Sequence, residues 1–251
     1  MTIGRQNRAV SYIDATDAGG IAVRYWVPNG VTGPMPLIIW SHPDSQTEQI
    51  NPGYWAYPLI QAFLQEGYAI IGSNLHNRSW GNAASQTDIV NAYNFMTGKI
   101  SVSNVVMAGG SMGGLASLLT IAKDLLPAGK VKGAVLFDAV TNLRNMYDAG
   151  TYTTVIETAH GITAGGADYN TKTAGNDPNL YVAADYAGLR YRLYASAADT
   201  SVARAANADA FVTLVGGTAT EAVAVSHPLG HLDTHGIWPA DVIAFTRRCF
   251  A

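Results

Sequence analysis

Cysteine is almost missing from this chain. The single Cys249, close to the end of the 251 residues, cannot form an internal disulfide, so no disulfide framework is available and the redox compartment is left open. Charge is also scarce: only 13% of residues are Asp, Glu, Lys or Arg, against 48% hydrophobic, with a net charge of −3. That balance excludes an intrinsically disordered chain. No block of five or more basic residues occurs, so the electrostatic footprint of a nucleic-acid binder is absent. No apolar run approaches membrane-spanning length, which argues against a membrane span. The opening Met-Thr-Ile-Gly-Arg-Gln-Asn-Arg is polar and carries no apolar stretch of the secretory-leader kind. The default expectation is a cytoplasmic protein, with release or incorporation into a virion or surface particle as the alternative.

What is present is an alternation of short apolar runs with helical patterns, the signature of an α/β architecture in which a mostly parallel sheet carries helices on its faces. The length suits a single domain spanning 1–251. Residues 9–13 and 20–27 alternate around Asp17-Ala-Gly-Gly20 and predict an opening hairpin. Strands are predicted at 36–40, 68–72, 131–137, 191–195 and 221–225, those at 36–40, 131–137 and 191–195 buried, with a further one ending at Ala108. Helices are predicted from Trp55 to Glu66, closed by Gly67, and from a Thr87 or Ser85 cap to about Thr97. Two more are predicted from Val202 to Val215 and from Pro239 onward. Residues 141–188 are rich in Gly, Thr, Ala, Asn and Tyr with weak periodicity. They are expected to form a compact excursion over the carboxyl end of the sheet, without a core of their own.

The chemistry centres on Val105-Val-Met-Ala-Gly109-Gly-Ser111-Met-Gly113-Gly114, an apolar run that turns at a serine and leads into a helix. A Gly-x-Ser-x-Gly match arises by chance in roughly one such chain in seven, so the strand–turn–helix context must carry the weight. In that context Ser111 reads as a nucleophile presented on a tight elbow; its plain alternative is a buried turn serine. A serine hydroxyl needs a base, and the base an orienting acid. Asp199, after the strand at 191–195, is the first choice of acid; an N-cap role is its plain alternative, and Asp138 is the competitor. His227, His231 and His235 recur every four residues, the helical spacing of a metal site. Pro228, Gly230 and Gly236 argue against a helix there, so no metal is expected. His231, between the last strand and the last helix, is the first choice of base, with His235 next. The oxyanion needs two N–H donors: Met112, following the nucleophile, and one from the 43–45 loop. Pro43 has no N–H, which leaves Asp44 or Ser45. His42 is read as a residue packing under that loop. Tyr54, Trp55, Trp80, Tyr147, Tyr152 and Trp238 either line the approach or belong to the core.

Together these segments resemble the α/β-hydrolase superfamily over most of the chain. Ser41-His42-Pro43 is similar to its His-Gly oxyanion segment, Gly109-Gly-Ser111-Met-Gly113 to its nucleophile elbow, Ala198-Asp199-Thr-Ser-Val202 to its acid turn, and Gly230-His231-Leu-Asp233 to its histidine loop. Pro43 and Leu232 stand where glycine is common. The resemblance implies an eight-stranded, mostly parallel sheet and a serine hydrolase of the esterase, dienelactone-hydrolase or prolyl-oligopeptidase type. The expected activity is carboxylic ester hydrolysis through Ser111, His231 and Asp199, with Met112 and Asp44 holding the oxyanion and no cofactor. The substrate would be a small-molecule or polymer-borne ester. A peptidase on the same triad, or a hydrolase-fold binding or assembly module, is the alternative. A homo-oligomer or a place in a larger assembly fits either.

Overall fold

The computed structural model describes residues 11–251. Eight strands form one sheet in the order β1-β2-β4-β3-β5-β6-β7-β8. These are β1 (Ile13–Thr16), β2 (Ala22–Trp26), β3 (Met35–Ser41), β4 (Ala69–Ser73), β5 (Val102–Gly110), β6 (Val131–Phe137), β7 (Arg190–Ser196) and β8 (Glu221–His227). The pairs β1–β2 and β2–β4 are antiparallel; every pairing from β4 to β8 is parallel. The eight-stranded, mostly parallel sheet is therefore as expected. The opening hairpin turns where predicted, with Asp17 Oδ1 accepting from the Gly19 and Ile21 N–H groups at 2.8 and 3.0 Å. Its first strand, however, begins at Ile13, and residues 9 and 10 lie outside the described residues.

Parallel strands covered on both faces read as continuous apolar runs, and β3 and β5 show why. Leu37, Ile39, Val105 and Met107 point into one buried cluster; Ile38, Trp40, Val106 and Ala108 point into another on the opposite face. The first cluster is completed by α2 (Ala83–Thr97), α3 (Gly113–Ala122) and α7 (Ala208–Val215), the second by α1 (Tyr57–Gln65) and α8 (Pro239–Phe250). In α1 the buried Leu59, Ile60, Phe63 and Leu64 form one stripe. Gly67, at φ +86°, ends it: its N–H reaches the Leu64 carbonyl, and the Tyr68 N–H reaches that of Phe63. The predicted α8 start at Pro239 holds.

Two helix starts differ from expectation. Asn82, and neither Ser85 nor Thr87, caps α2: its Oδ1 accepts the Ser85 N–H at 3.1 Å. The predicted helix over 202–215 is broken. Only a single 3-10 turn covers Arg204–Ala206, and α7 begins at Ala208. The cause is the fully buried Asn207, whose Oδ1 accepts the Thr141 and Asn142 N–H groups at 2.9 and 3.1 Å while its amide donates to Ala203. A side chain spent on the loop after β6 fixes its own backbone at φ −117°, ψ −89°, outside the helix.

Residues 141–188 hold three short helices, α4 (Leu143–Asp148), α5 (Thr153–His160) and α6 (Tyr169–Lys172), and two 3-10 turns. Their apolar side chains Leu143, Met146, Ile156 and Tyr169 share a buried cluster with Trp80, Met112, Leu115 and Val202. That shared cluster places the excursion beside the carboxyl end of β5.

Candidate active site

Ser111 sits between β5 and α3 with φ +49°, in the left-handed region that costs a non-glycine residue strain. Its neighbours hold it there. The Ser111 N–H donates to the Phe137 carbonyl at 3.0 Å, and the Ser111 carbonyl accepts from Gly114 and Val140 at 2.9 and 3.0 Å. The flanking glycines answer to close approach: a Cβ on Gly109 would lie 2.6 Å from the Ser41 carbonyl oxygen, and one on Gly113 only 2.1 Å from it. Strand β3 thus presses directly on the elbow.

The structure brings Asp199 and His231 together. His231 Nδ1 lies 2.7 Å from Asp199 Oδ2, while Asp199 Oδ1 accepts the Ser201 and Val202 N–H groups at 2.7 and 3.0 Å. Burial pushes the Asp199 carboxyl up, but the His231 hydrogen bond and the two backbone donors outweigh it. The net result lies below the usual carboxylate range. An ionised carboxylate only accepts, so Nδ1 is the donor in this bond. The Asp199 side chain is 1% exposed, that of His231 21%. Ser111, His231 and Leu232 face one cleft of about 870 Å³, bordered also by Pro43, Asp44 and Ser45. No hydrogen bond joins Ser111 to His231 among the described residues.

The other histidines do different things. His227 ends β8, buried, with Nε2 3.2 Å from Asp138 Oδ1. His235 is 87% exposed and bonded to Asp233. The four-residue spacing therefore does not converge on a metal, because the three rings belong to a strand end, a loop and the 3-10 turn Thr234–Gly236. Among the described residues the ligand-type atoms that do converge are those of Asp138, Asp199 and His231, within 4.8 Å of one another.

Pro43 to Ser45 form the facing wall. The Met112 and Asp44 N–H groups meet no acceptor among the described residues. The Asp44 carboxylate is fully engaged, accepting from Arg78 Nε and Nη2 at 2.8 and 2.6 Å and from Trp80 Nε1 at 3.2 Å. Buried His42 lies beneath, as expected, its two ring nitrogens each 2.7 Å from a backbone carbonyl, of Pro43 and of Asn74. Of the six aromatics considered, Tyr54, Trp55 and Tyr152 line the cleft. Trp80 is buried behind Asp44, Tyr147 packs on Tyr169 and bonds Glu157, and Trp238 stacks edge-on against Tyr194. The sequence reading missed Gln46 and Arg78. Arg78 follows the left-handed residues Leu75, His76 and Asn77, and no residue pattern announces that turn.

A serine elbow after the fifth strand, an acid after the seventh and a histidine after the eighth, on this strand order, define the α/β-hydrolase fold. Solved structures agree. The protein is similar to an esterase of Pyrococcus furiosus (13% identity, TM-score 0.68, covering 100% of this chain and 97% of that one). It is also similar to the fluorophosphonate-binding serine hydrolase F of Staphylococcus aureus (17%, 0.73, 98% and 100%). A third likeness is to an acylaminoacyl peptidase of Pyrococcus horikoshii (12%, 0.75, 98% of this chain but 42% of that one). No protein-family profile matches the chain, and no curated protein does.

Proposed function

We propose that this protein is a serine hydrolase that cleaves carboxylic esters, with Ser111 as nucleophile, His231 as general base and Asp199 as its orienting acid. The observation that carries the reading is the 2.7 Å Asp199–His231 bond, beside a cleft that His231 and Ser111 both line. His231 Nε2 removes the Ser111 proton as Oγ attacks the ester carbonyl. The oxyanion collects on the N–H groups of Met112 and Asp44. Collapse expels the alcohol, which takes the proton from His231 and leaves an acyl-enzyme; water activated by the same ring then releases the acid. Asp199 holds the tautomer and stabilises the imidazolium. Aromatic Tyr54, Trp55 and Tyr152 suit an uncharged substrate, either a small ester or one borne on a polymer.

Two measurements test this. A fluorophosphonate probe should label the wild-type protein and not Ser111→Ala; a folded wild type that resists the probe overturns the proposal in favour of a binding or assembly module. A series of p-nitrophenyl esters of increasing chain length should be turned over, with peptide p-nitroanilides run alongside. Turnover of the anilides alone would make it a peptidase.

A further inference from the structure

Asp138 is a second buried carboxylate at this end of the sheet, and the mechanism above gives it no part. It follows β6 with φ +40°, in the left-handed region, so the fold holds it in place at some cost. Its partners come from three directions. Oδ1 is shared between the Ser196 N–H at the end of β7 and His227 Nε2 at the end of β8, at 3.3 and 3.2 Å. Oδ2 accepts the Leu232 N–H alone, at 2.8 Å, the shortest of the three. Leu232 is the residue after His231 and is itself left-handed, φ +51°, a conformation a branched residue keeps only when something holds it. Its side chain packs over Gly110, so the same bond sets a wall of the cleft. Although Asp138 lies within 4.8 Å of the Asp199–His231 pair, the imidazole is bonded to Asp199.

We propose that Asp138 is a positioning residue: by gripping the Leu232 N–H it fixes the backbone beside His231 and so aims the imidazole at Ser111. This rests on the triad reading above. Burial raises the Asp138 pKa and the Leu232 N–H pulls it back, with His227, Asp199 and His231 the charged or titratable groups around it. A buried carboxyl kept against that cost fits a residue whose acceptor is needed.

Two variants separate the grip from general support. Asp138→Ala removes the acceptor. Asp138→Asn keeps one oxygen for Leu232 and can donate its amide to His227 Nε2, because the other ring nitrogen of His227 has no partner and the ring can change tautomer; it gives up only the acceptor of the Ser196 N–H, the longest of the three bonds. Asp138→Ala should lower kcat on a p-nitrophenyl ester about 10²-fold, the scale of a small misplacement of a catalytic group. KM should stay within about twofold, and Asp138→Asn should recover most of the loss. A folded Asp138→Ala with wild-type kcat, or an Asp138→Asn as impaired as Asp138→Ala, overturns the proposal. Should Asp138→Ala fail to fold, Asp138→Ser, too short to reach Leu232, takes its place. NMR of the His231 ring in selectively labelled protein reads the aim without turnover. Its resonances should move in Asp138→Ala and stay put in Asp138→Asn; equal behaviour in both counts against the grip even if the wild type proves to hydrolyse no ester.

Discussion

At the scale of single residues, the Asp199 carboxylate has two separable effects. As the orienting acid of the proposed triad, its replacement by Asn should lower kcat on the order of 10³–10⁴-fold, because the amide favours the wrong imidazole tautomer. Its second effect is on stability. The folded Asp199 pKa lies below the ordinary 3.8, so its contribution is fully present above that value and is lost as pH falls through the lower, folded one. Urea denaturation should therefore find Asp199→Asn less stable than wild type at pH 7, with the gap closing in strong acid. A gap of constant size would show that the ionised carboxylate is not its origin. Asp138 has the opposite sign: its raised pKa makes the fold lose stability as pH climbs from 3.8 to the folded value. In sequence, Asp138 and Asp199 are each an aspartate just past an apolar run. Position after the late strand made Asp199 the first choice over Asp138, and it is Asp199 that His231 approaches in space.

The elements were legible to different depths. Strands β3, β5 and β6 carry the continuous apolar runs 37–40, 105–108 and 134–137, so burial on both faces can be read directly from those residues. The elbow was legible because Gly109 and Gly113 are demanded by a backbone contact that no other residue permits. The α7 start was not legible, since Asn207 acts through Thr141 and Asn142, more than sixty residues away in sequence. The same holds for Asn82, whose cap was hidden by the equally good capping residues Ser85 and Thr87 downstream. Replacing Asn207 with Ala leaves two N–H donors, one buried and one half-buried, without their acceptor, and at about 1–3 kcal/mol for each unsatisfied group the variant should lose on the order of 2–6 kcal/mol. Denaturant titration checks this; a loss under half a kcal/mol would show that the loop after β6 is held by something else.

Across the whole molecule, β8 is an edge strand, and exposed edges invite pairing with other chains. Here charge guards it. Glu221, at the start of β8, accepts from Arg248 at 2.6 and 3.0 Å and from Arg190 and Arg192 at 3.2 and 3.4 Å, and Arg192 continues to Asp241 on α8. One carboxylate thus faces three guanidinium groups. Glu221→Gln should cost about 1–3 kcal/mol, the worth of hydrogen bonds to a charged group plus the repulsion released. The deficit should shrink at high salt, where the arginines are screened. A salt-independent deficit would assign it to packing instead.

The contact between Gly113 and the Ser41 carbonyl reaches further than the tightness of the elbow. It joins, main chain to main chain, the two loops that present Met112 and Asp44, so the gap between these proposed donors is gauged first by backbone against backbone. The aromatic residues that shape the rest of the cleft, Tyr54, Trp55 and Tyr152, stand outside that gauge. Drift at those three positions can change which substrate the cleft takes while the spacing of the proposed donors is inherited unchanged.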